Sequence, residues 1–431
     1  MDIIFAHSDD FIAAVFAEWL DVVDVMYLNW ACDASKDSRE NLHRILTAKQ
    51  VVLHNNAERH YFLTGDNALF NWLSRTKIKM KKLVITPEMA GEAMELVVEY
   101  VTLCGPALQS LRCIYYDRQI MSAVTNYCLR VKSLWIDSGA EIEEGDILFS
   151  ESMETLYLSN NYYPMNNDIC IKLPNLRDLS LVKMILDDTL IGIVQHTPML
   201  RRLALRDTLD LTVSSFAAIG QYCRSLECLS LYAMPCPSTS LALILPFTPR
   251  LIKLELLYMH GELNVKGVFE ALATYCPMLA TLTLADNESA PHPAILQALV
   301  QMLTRCVHLR TLNLQICRFV TDDFLFAIAS KATHITHLDL YECYVSNSGL
   351  TEIALHCTEL AFICFCTGDE FETTDDCREL FRNETCVKVI HNMYDEINNA
   401  SSDEDSQIYD DSTTSENDVG EEDASEIVDA E

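Results

Sequence analysis

Cysteine and histidine side chains are the first candidates for chemistry, because both bind metals and act in catalysis. The chain contains 17 cysteines and 12 histidines in 431 residues. Cys364 and Cys366, separated by one residue, come closest to a metal-ligand pair, but no CxxC pair and no histidine pair at zinc-finger spacing accompanies them. His334 and His337 are isolated and flank an apolar segment. We therefore predict neither a metal site nor a cofactor.

Motifs of the common enzyme classes are missing from the sequence, which has no GxGxxG, P-loop, GxSxG or HExxH segment. We therefore expect a protein without catalytic residues. The alternative is a catalytic site that no motif announces.

The cysteines and the first residues of the chain indicate a compartment. An odd number of cysteines, spread from Cys32 to Cys386, argues for reduced thiols rather than a disulfide framework. The first ten residues include three aspartates and no basic segment, so no secretory signal is expected. No apolar stretch reaches the roughly 18–20 residues of a membrane span. We expect a soluble protein in the cytoplasm, with the nucleus as an alternative.

The elements that position the side chains are built from an internal repeat. An apolar residue, followed by apolar residues three and five positions later, recurs every 22 to 30 residues. "CVHLRTLNL", "CPMLATLTL" and "TPRLIKLEL" are typical copies. The twelve first positions, here called anchors, are Met80, Leu108, Val131, Met153, Leu176, Leu200, Leu226, Leu251, Leu279, Leu309, Ile335 and Leu360. A weaker thirteenth copy begins at Val387.

This LxxLxL pattern resembles that of leucine-rich-repeat proteins, and later copies resemble the cysteine-containing subclass. Cys306 precedes Leu309 by three residues, and Cys317 occupies a position where many repeats have asparagine; Cys343 follows in the next copy. The resemblance implies an α/β solenoid shaped like a horseshoe, with a parallel concave sheet and convex helices. We interpret Cys317 and Cys343 as structural.

Each copy carries two periods because it forms a strand and then a helix. In the copy anchored at Leu309, Leu312 and Leu314 should point inward and Thr311, Asn313 and Gln315 outward. We expect Thr321 to cap the following helix, whose apolar stripe pairs residues 324 with 328 and 325 with 329.

Outward positions of the strands should form the binding surface. They are the second, fourth and sixth residues after each anchor. In chain order they are Lys82/Val84/Thr86, Ser110/Arg112/Ile114, Ser133/Trp135/Asp137, Thr155/Tyr157/Ser159, Asp178/Ser180/Val182, Arg202/Ala204/Arg206, Cys228/Ser230/Tyr232, Lys253/Glu255/Leu257, Thr281/Thr283/Ala285, Thr311/Asn313/Gln315, His337/Asp339/Tyr341 and Phe362/Cys364/Cys366.

Aromatic and basic side chains recur on this face, and such side chains anchor protein interfaces. We predict a polypeptide target bound by Trp135, Tyr157, Arg202, Arg206, Tyr232, Lys253, Tyr341 and Phe362. The alternative is that strand positions simply favour aromatic residues. The chain has a net charge of −32, which argues against nucleic acid as the partner.

The N-terminal residues contain no repeat but have a helical apolar pattern. Residues 1–45 resemble a divergent F-box, a short adaptor module that binds the linker protein of a cullin ubiquitin ligase. The matching positions are Phe11, Ile12, Val15, Phe16, Leu20, Asp24, Val25 and Leu28. The segment departs from the family because Ser8-Asp9-Asp10-Phe11 replaces the usual Leu-Pro, and because the aromatic residue expected after the last helix is not evident in "DASKDSRENL". The alternative is a helical cap over the first repeat; we expect residues 46–78 to cap it in either case, with Trp72 and Leu73 in the core.

The repeats should span residues 79–394, and an acidic tail follows at 395–431. The tail has 15 of the 63 acidic residues and no lysine or arginine, which leaves the rest with 48 acidic and 31 basic residues. Such a segment should be disordered and either solubilise the chain or dock as a regulated segment.

F-box modules followed by such repeats are typical of ubiquitin-ligase substrate receptors. The resemblance therefore implies a substrate-recruiting subunit of an SCF-type ligase. A general interaction scaffold without a link to ubiquitination is the alternative.

Overall fold

The computed structural model describes part of the chain in detail. The described residues are 28, 40–42, 44–45, 52–53, 73–77, 79–85, 87–114, 117–138, 151–160, 173–183, 185–235, 240–259, 263–366, 381 and 388–390. The predicted acidic tail and all F-box-like positions except Leu28 lie outside them. Leu28 packs against the core, and Leu73 is buried there, as predicted.

Short parallel strands dominate the structure. They are β1 (Val52–Leu53), β2 (Lys79–Met80), β3 (Lys82–Ile85), β4 (Ser110–Cys113), β5 (Ser133–Ser138), β6 (Thr155–Asn160), β7 (Asp178–Val182), β8 (Arg202–Arg206), β9 (Cys228–Tyr232), β10 (Lys253–Leu257), β11 (Thr281–Ala285), β12 (Thr311–Asn313), β13 (His337–Leu340), β14 (Phe362–Phe365) and β15 (Lys388–Ile390). Strands β3 to β15 form one sheet in sequence order, and β1 pairs with β2.

Helices connect most of the strands. They are α1 (Pro87–Cys104), α2 (Arg118–Tyr127), α3 (Asp187–His196), α4 (Val213–Tyr222), α5 (Ser240–Ile244), α6 (Val265–Tyr275), α7 (Pro293–Arg305), α8 (Asp322–Lys331) and α9 (Asn347–His356). Single 3₁₀ turns cover Gly105–Ala107 and Leu245–Phe247.

The predicted repeat register is confirmed by the strand pairing. The residues two positions after successive anchors are register partners on neighbouring parallel strands, as in Lys82↔Ser110, Asp178↔Arg202 and Thr311↔His337. All twelve anchors are at most 4% exposed, and Leu312 and Leu314 are fully buried. Stacked repeats thus share one continuous core, as expected for a leucine-rich-repeat solenoid.

A left-handed residue ends the strand segment in seven consecutive repeats. It lies seven positions after each anchor from Leu176 to Ile335 and is never glycine. These residues are Lys183, Asp207, Ala233, Tyr258, Asp286, Ile316 and Glu342, with φ between 47° and 63°. In six of them, from Lys183 to Ile316, the N–H donates to a carbonyl of the neighbouring repeat, as from Ala233 to Leu257 at 2.9 Å. The turn is therefore a fixed part of the repeat.

The next position holds the cysteines that the sequence suggested were structural. Cys317 Sγ donates to the carbonyl of Leu284 at 3.3 Å, and Cys343 Sγ donates to that of Leu314 at 2.8 Å. Both side chains are buried. A small, weakly polar group thus satisfies a backbone acceptor in a crowded turn.

A second cysteine position ends the helices, three residues before the anchors. The C-cap residue at this position is a cysteine in five repeats: Cys128, Cys223, Cys276, Cys306 and Cys357. In three other repeats it is Thr197, Thr248 or Ala332. Each is followed by a turn in which the anchor N–H donates to the cap carbonyl. All twelve described cysteines are free thiols.

Consecutive helices are joined through aspartates of the first turn. Asp187 accepts hydrogen bonds from the backbone N–H of Thr212 at 2.8 Å and from its hydroxyl. Asp322 accepts from the N–H and hydroxyl of Ser346 in the same way.

The prediction that the Thr321 side chain caps α8 was wrong. Thr321 occupies the N-cap position, but its side chain makes no capping bond. Two acidic residues in the first turn of α8 complement its positive end instead. The predicted apolar stripe of α8 is buried, including Phe324 and Ile328.

Candidate binding surface on the concave face

The strand register aligns the outward residues in three rows that run across the sheet. We call the surface they form the concave face: the second, fourth and sixth positions after the anchors, carried by strands β3 to β14. Because neighbouring strands lie about 4.8 Å apart, side chains in one row touch across repeats. The face therefore behaves as one continuous surface.

An aromatic stack lies on strands β4 to β6 of this face. Arg112, Trp135 and Tyr157 are register partners on adjacent strands. The Trp135 and Tyr157 rings are stacked with centroids 3.6 Å apart and planes 16° apart. The guanidinium carbon of Arg112 lies 4.6 Å from the centre of the Trp135 ring, a cation–π geometry. The stack presents a stiff, amphipathic ridge.

The Tyr157 hydroxyl stays protonated near neutral pH. Burial, helped by the negative charge of Asp137, raises its pKa to about 12, although Ser159, Arg206 and Arg112 act in the opposite direction. A neutral phenol on the ridge can donate a hydrogen bond to a carbonyl of a bound polypeptide.

The fourth-position row becomes small beyond the ridge. Tyr157 is followed in register by Ser180, Ala204 and Ser230, and then by Glu255. Because short side chains follow an aromatic wall, we expect the face to be lower across β7 to β9, and we call this stretch the depression. A bulky side chain of a partner can rest there against Tyr157.

Ion pairs border one side of this depression. Arg202 Nε lies 3.0 Å from Asp178 Oδ1, and Lys253 Nζ lies 2.9 Å from Glu255 Oε1. The Ser230 hydroxyl also donates to Glu255. Burial raises the pKa of Asp178, although Arg202 opposes that shift. Arg202 is still 68% exposed, so it keeps donors for a partner.

Aromatic residues border the other side. The guanidinium carbon of Arg206 lies 4.5 Å from the centre of the Tyr232 ring, and Tyr232 meets Tyr258 edge to face at 5.3 Å. Arg206 Nε also lies 3.6 Å from Asp207 Oδ2. Tyr258 was missed by the sequence analysis because it follows the strand, in the left-handed turn.

The remaining two predicted residues lie apart from this centre. Phe362 stacks on His337 with centroids 5.9 Å apart, and Tyr341 donates its N–H to Asp339 Oδ1 at 3.0 Å. Burial raises the pKa of Asp339, although Gln315 donates to its carboxylate at 2.6 Å. The predicted binding residues thus fall into two groups. The first, on strands β5 to β10, consists of Trp135, Tyr157, Arg202, Arg206, Tyr232 and Lys253; the second consists of Tyr341 and Phe362.

Some outward positions are covered rather than exposed. Five residues that were predicted to point outward are at most 7% exposed: Ser159, Val182, Thr283, Ala285 and Cys364. Alternation along a strand therefore does not by itself expose a side chain. These five residues cannot contribute side-chain contacts to a partner.

Within the described residues, no group of three metal-ligating side chains comes together, Cys364 and Cys366 included. No helix in the described part of the chain is long and apolar enough to cross a membrane.

Comparisons with known proteins place the chain by its fold. No protein-family model matches the sequence, and no curated protein matches it. A chain in the crystal structure of the Rad7 and Elc1 complex in yeast is similar in structure, with a TM-score of 0.50 and 17% identity over 90% of this chain and 94% of that one. An internalin from Listeria monocytogenes has a TM-score of 0.48 and 14% identity over 75% of this chain and 92% of its own. The likeness to the yeast chain and the stacked parallel strands show that this chain has the fold of leucine-rich-repeat proteins.

Proposed function

We propose that this chain is a non-enzymatic receptor that binds a target protein on the concave face and recruits it to an SCF-type ubiquitin ligase. The observation that carries the binding part is the group formed by the Arg112–Trp135–Tyr157 ridge, the depression beside it and the borders around Arg202 and Tyr232. Large aromatic and arginine side chains around a small-residue floor are what an interface anchor requires.

The target should present an extended segment with at least one bulky side chain and groups of both charges. Arg202 and Lys253 are already paired with Asp178 and Glu255, so the centre is not a simple cationic site. A partner that binds here must replace these ion pairs with ion pairs to its own charged groups. Such an exchange contributes more to specificity and to the association rate than to affinity.

The ligase part of the proposal depends on the N-terminal residues. Its support is the F-box-like pattern from Phe11 to Leu28, placed before the repeats. A protein of the same fold also occurs in a complex with a second protein, Elc1 in yeast. We extend to this chain the idea that a linker protein binds the N-terminal module.

Affinity capture tests the concave face. The full-length chain should retain a set of proteins that the Trp135→Ala/Tyr157→Ala/Tyr232→Ala variant loses, because the variant removes the aromatic ridge and the Tyr232 side of the depression. A Phe326→Ala variant changes a helix residue that is 39% exposed and serves as the matched control. Equal capture by the triple variant and the wild type would exclude this face as the binding site.

Copurification of the ligase linker tests the N-terminus. The full chain should retain the linker, and a Val15→Asp/Leu20→Asp variant should lose it while target capture persists. If the wild type retains targets but no linker, the alternative function, a general interaction scaffold, is the correct one.

A further inference from the structure

Large apolar side chains are exposed on one lateral edge of the solenoid, away from the concave face. The edge in question is the side where each helix ends and the next strand begins. Phe247, Ile252, Tyr275, Met278 and Val307 lie there and are 41–56% exposed. We call these five residues the edge patch.

The edge patch spans consecutive repeats because the turn that carries it repeats. Phe247 and Tyr275 each precede a helix-capping residue, and Cys306 Sγ donates to the carbonyl of Cys276, so consecutive caps are in contact. Ile252 accepts through its carbonyl from the N–H of Ala280 at 2.7 Å. With neighbouring strands about 4.8 Å apart, the patch covers roughly 10–15 Å along the solenoid.

Aromatic residues take a place here that bases take in the two helices that follow. In α7 and α8 the last residue is Arg305 or Lys331, which complements the negative end of the helix. The helix ending at Tyr275 and the turn ending at Phe247 have no base in their last turn. These ends forgo that stabilisation and expose an aromatic ring to water.

Basic residues surround the edge patch. Arg224, Arg250, Arg305 and Arg310 are exposed on the same edge. None of them forms an ion pair with a carboxylate within the part of the chain that the structure describes. The interaction with the negative end of a helix accounts for the presence of Arg305. It does not account for Arg250 or Arg310, because these residues lie outside the helices.

The opposite edge, where strands end and helices begin, is mainly acidic, although Lys266 and Arg318 also lie there, each paired with a glutamate. Asp210, Asp286 and Glu342 are exposed there, and Asp187 and Asp322 join consecutive helices. A negatively charged ligand is therefore attracted to one edge and repelled from the other.

We infer that the edge patch is a second docking surface, which binds a partner segment in which acidic residues alternate with large apolar ones. The apolar side chains of such a segment cover Phe247, Tyr275 and Met278 while its carboxylates reach the flanking arginines. Charge complementarity selects this partner, since the patch is a cationic, apolar site on a chain with a net charge of −32. The surface is separate from the concave face and does not depend on the proposed function.

Peptide binding to the full-length chain tests the inference. The probe is a fluorescein-labelled peptide of about twelve residues, in which Glu alternates with Leu and Phe and which spans roughly 40 Å when extended. Its counterpart has Lys in place of each Glu. Binding is measured by fluorescence anisotropy at about 0.15 M salt. At this ionic strength, electrostatic repulsion from the rest of the chain is screened beyond about 8 Å.

The acidic peptide should bind at least about tenfold more tightly than the basic one. A Phe247→Ser/Tyr275→Ser/Met278→Ser variant should lose at least about tenfold in affinity for the acidic peptide, and a Trp135→Ala variant should keep it. Circular dichroism checks that each variant is folded. If the triple variant does not fold, Arg250→Glu/Arg310→Glu changes exposed charges only and should reverse the preference.

Three outcomes would overturn the inference. They are absence of binding of the acidic peptide to the wild type, equal binding of both peptides, and unchanged affinity in the folded variants of the edge patch. Loss of binding in Trp135→Ala alone would move the acidic peptide to the concave face.

Discussion

The carboxylate of Asp187 is bound to Thr212 of the next repeat through both the backbone N–H and the hydroxyl of that threonine. The Ser215 hydroxyl donates to the same carboxylate at 2.6 Å. One side chain of α3 therefore satisfies the first turn of α4, and the two repeats are coupled through it.

Replacing Asp187 with alanine should lower the free energy of unfolding by about 1–2 kcal/mol, because it leaves the N-terminal N–H groups of α4 without this acceptor. Urea unfolding followed by circular dichroism measures the change. Asp210→Ala, at an exposed position of the same edge, is the control and should shift stability by less than about 0.5 kcal/mol. Equal effects of the two substitutions would show that the bridge contributes nothing.

The same carboxylate should make stability depend on acid pH. Partial burial raises the pKa of Asp187, but the hydrogen bonds from Ser215 and Thr212 outweigh it and hold the pKa below its ordinary value of 3.8. A lowered pKa stabilises the folded chain above pH 3.8, and this contribution is lost as the pH falls through the folded-state pKa. The stability difference between wild type and Asp187→Asn should thus shrink from pH 6 toward pH 2. A difference that does not change over this range would contradict the assignment.

Ala233→Gly should stabilise the chain by about 0.5–1 kcal/mol. Ala233 has a φ of 47°, where a β-carbon is strained and glycine is not. Ala204→Gly makes the same change within strand β8, where it should cost about 0.5–1 kcal/mol. Unfolding measurements on the two variants should therefore give opposite signs, and a loss of stability in both would exclude strain at this turn.

The helix-capping cysteines should be exchangeable for threonine and not for leucine. In the equivalent position, Thr197 and Thr248 donate their hydroxyls to carbonyls of their helices at 3.2 and 3.3 Å. Cys223→Thr should therefore cost less than about 1 kcal/mol, whereas Cys223→Leu should overpack the turn and cost about 1–3 kcal/mol. Equal stability of both variants would show that the turn is not closely packed.

Trp135 and Tyr157 should be energetically coupled. Their stacked rings should give a coupling energy of about 0.5–1.5 kcal/mol in a double-mutant cycle of alanine substitutions, measured by unfolding. Trp135 on β5 and Tyr341, which directly follows β13, are far apart along the sheet and should show no coupling beyond roughly 0.3–0.5 kcal/mol. A zero value for the stacked pair would mean that the ridge is not rigid.

The repeat was predictable from the sequence because an anchor and its two apolar followers must fill the same place in every copy. The spacing located all twelve buried anchors and the register of the strands. It also identified Cys317 and Cys343 as turn residues.

Contacts between repeats were harder to predict, because they depend on side-chain length and local geometry. Alternation alone places Thr283 and Cys364 outward, yet both are buried. The pairing of Arg202 with Asp178 follows from the register but not from either copy alone. The edge patch was not predicted, because it lies at helix ends and outside the strand pattern. The segments "FTPRL" and "YCPML" nevertheless show the large aromatic residue before the cap, at Phe247 and Tyr275.

The left-handed residue at a constant seven positions after the anchor divides each of these seven repeats into two parts with different tolerance for length. From anchor to turn the count never changes in seven consecutive repeats, because the turn N–H must reach its neighbour. All variation in repeat length therefore falls between the turn and the next anchor. Inserted sequences, such as epitope tags or reporter modules, are best placed there, where they lengthen the outer side without disturbing the order of the sheet.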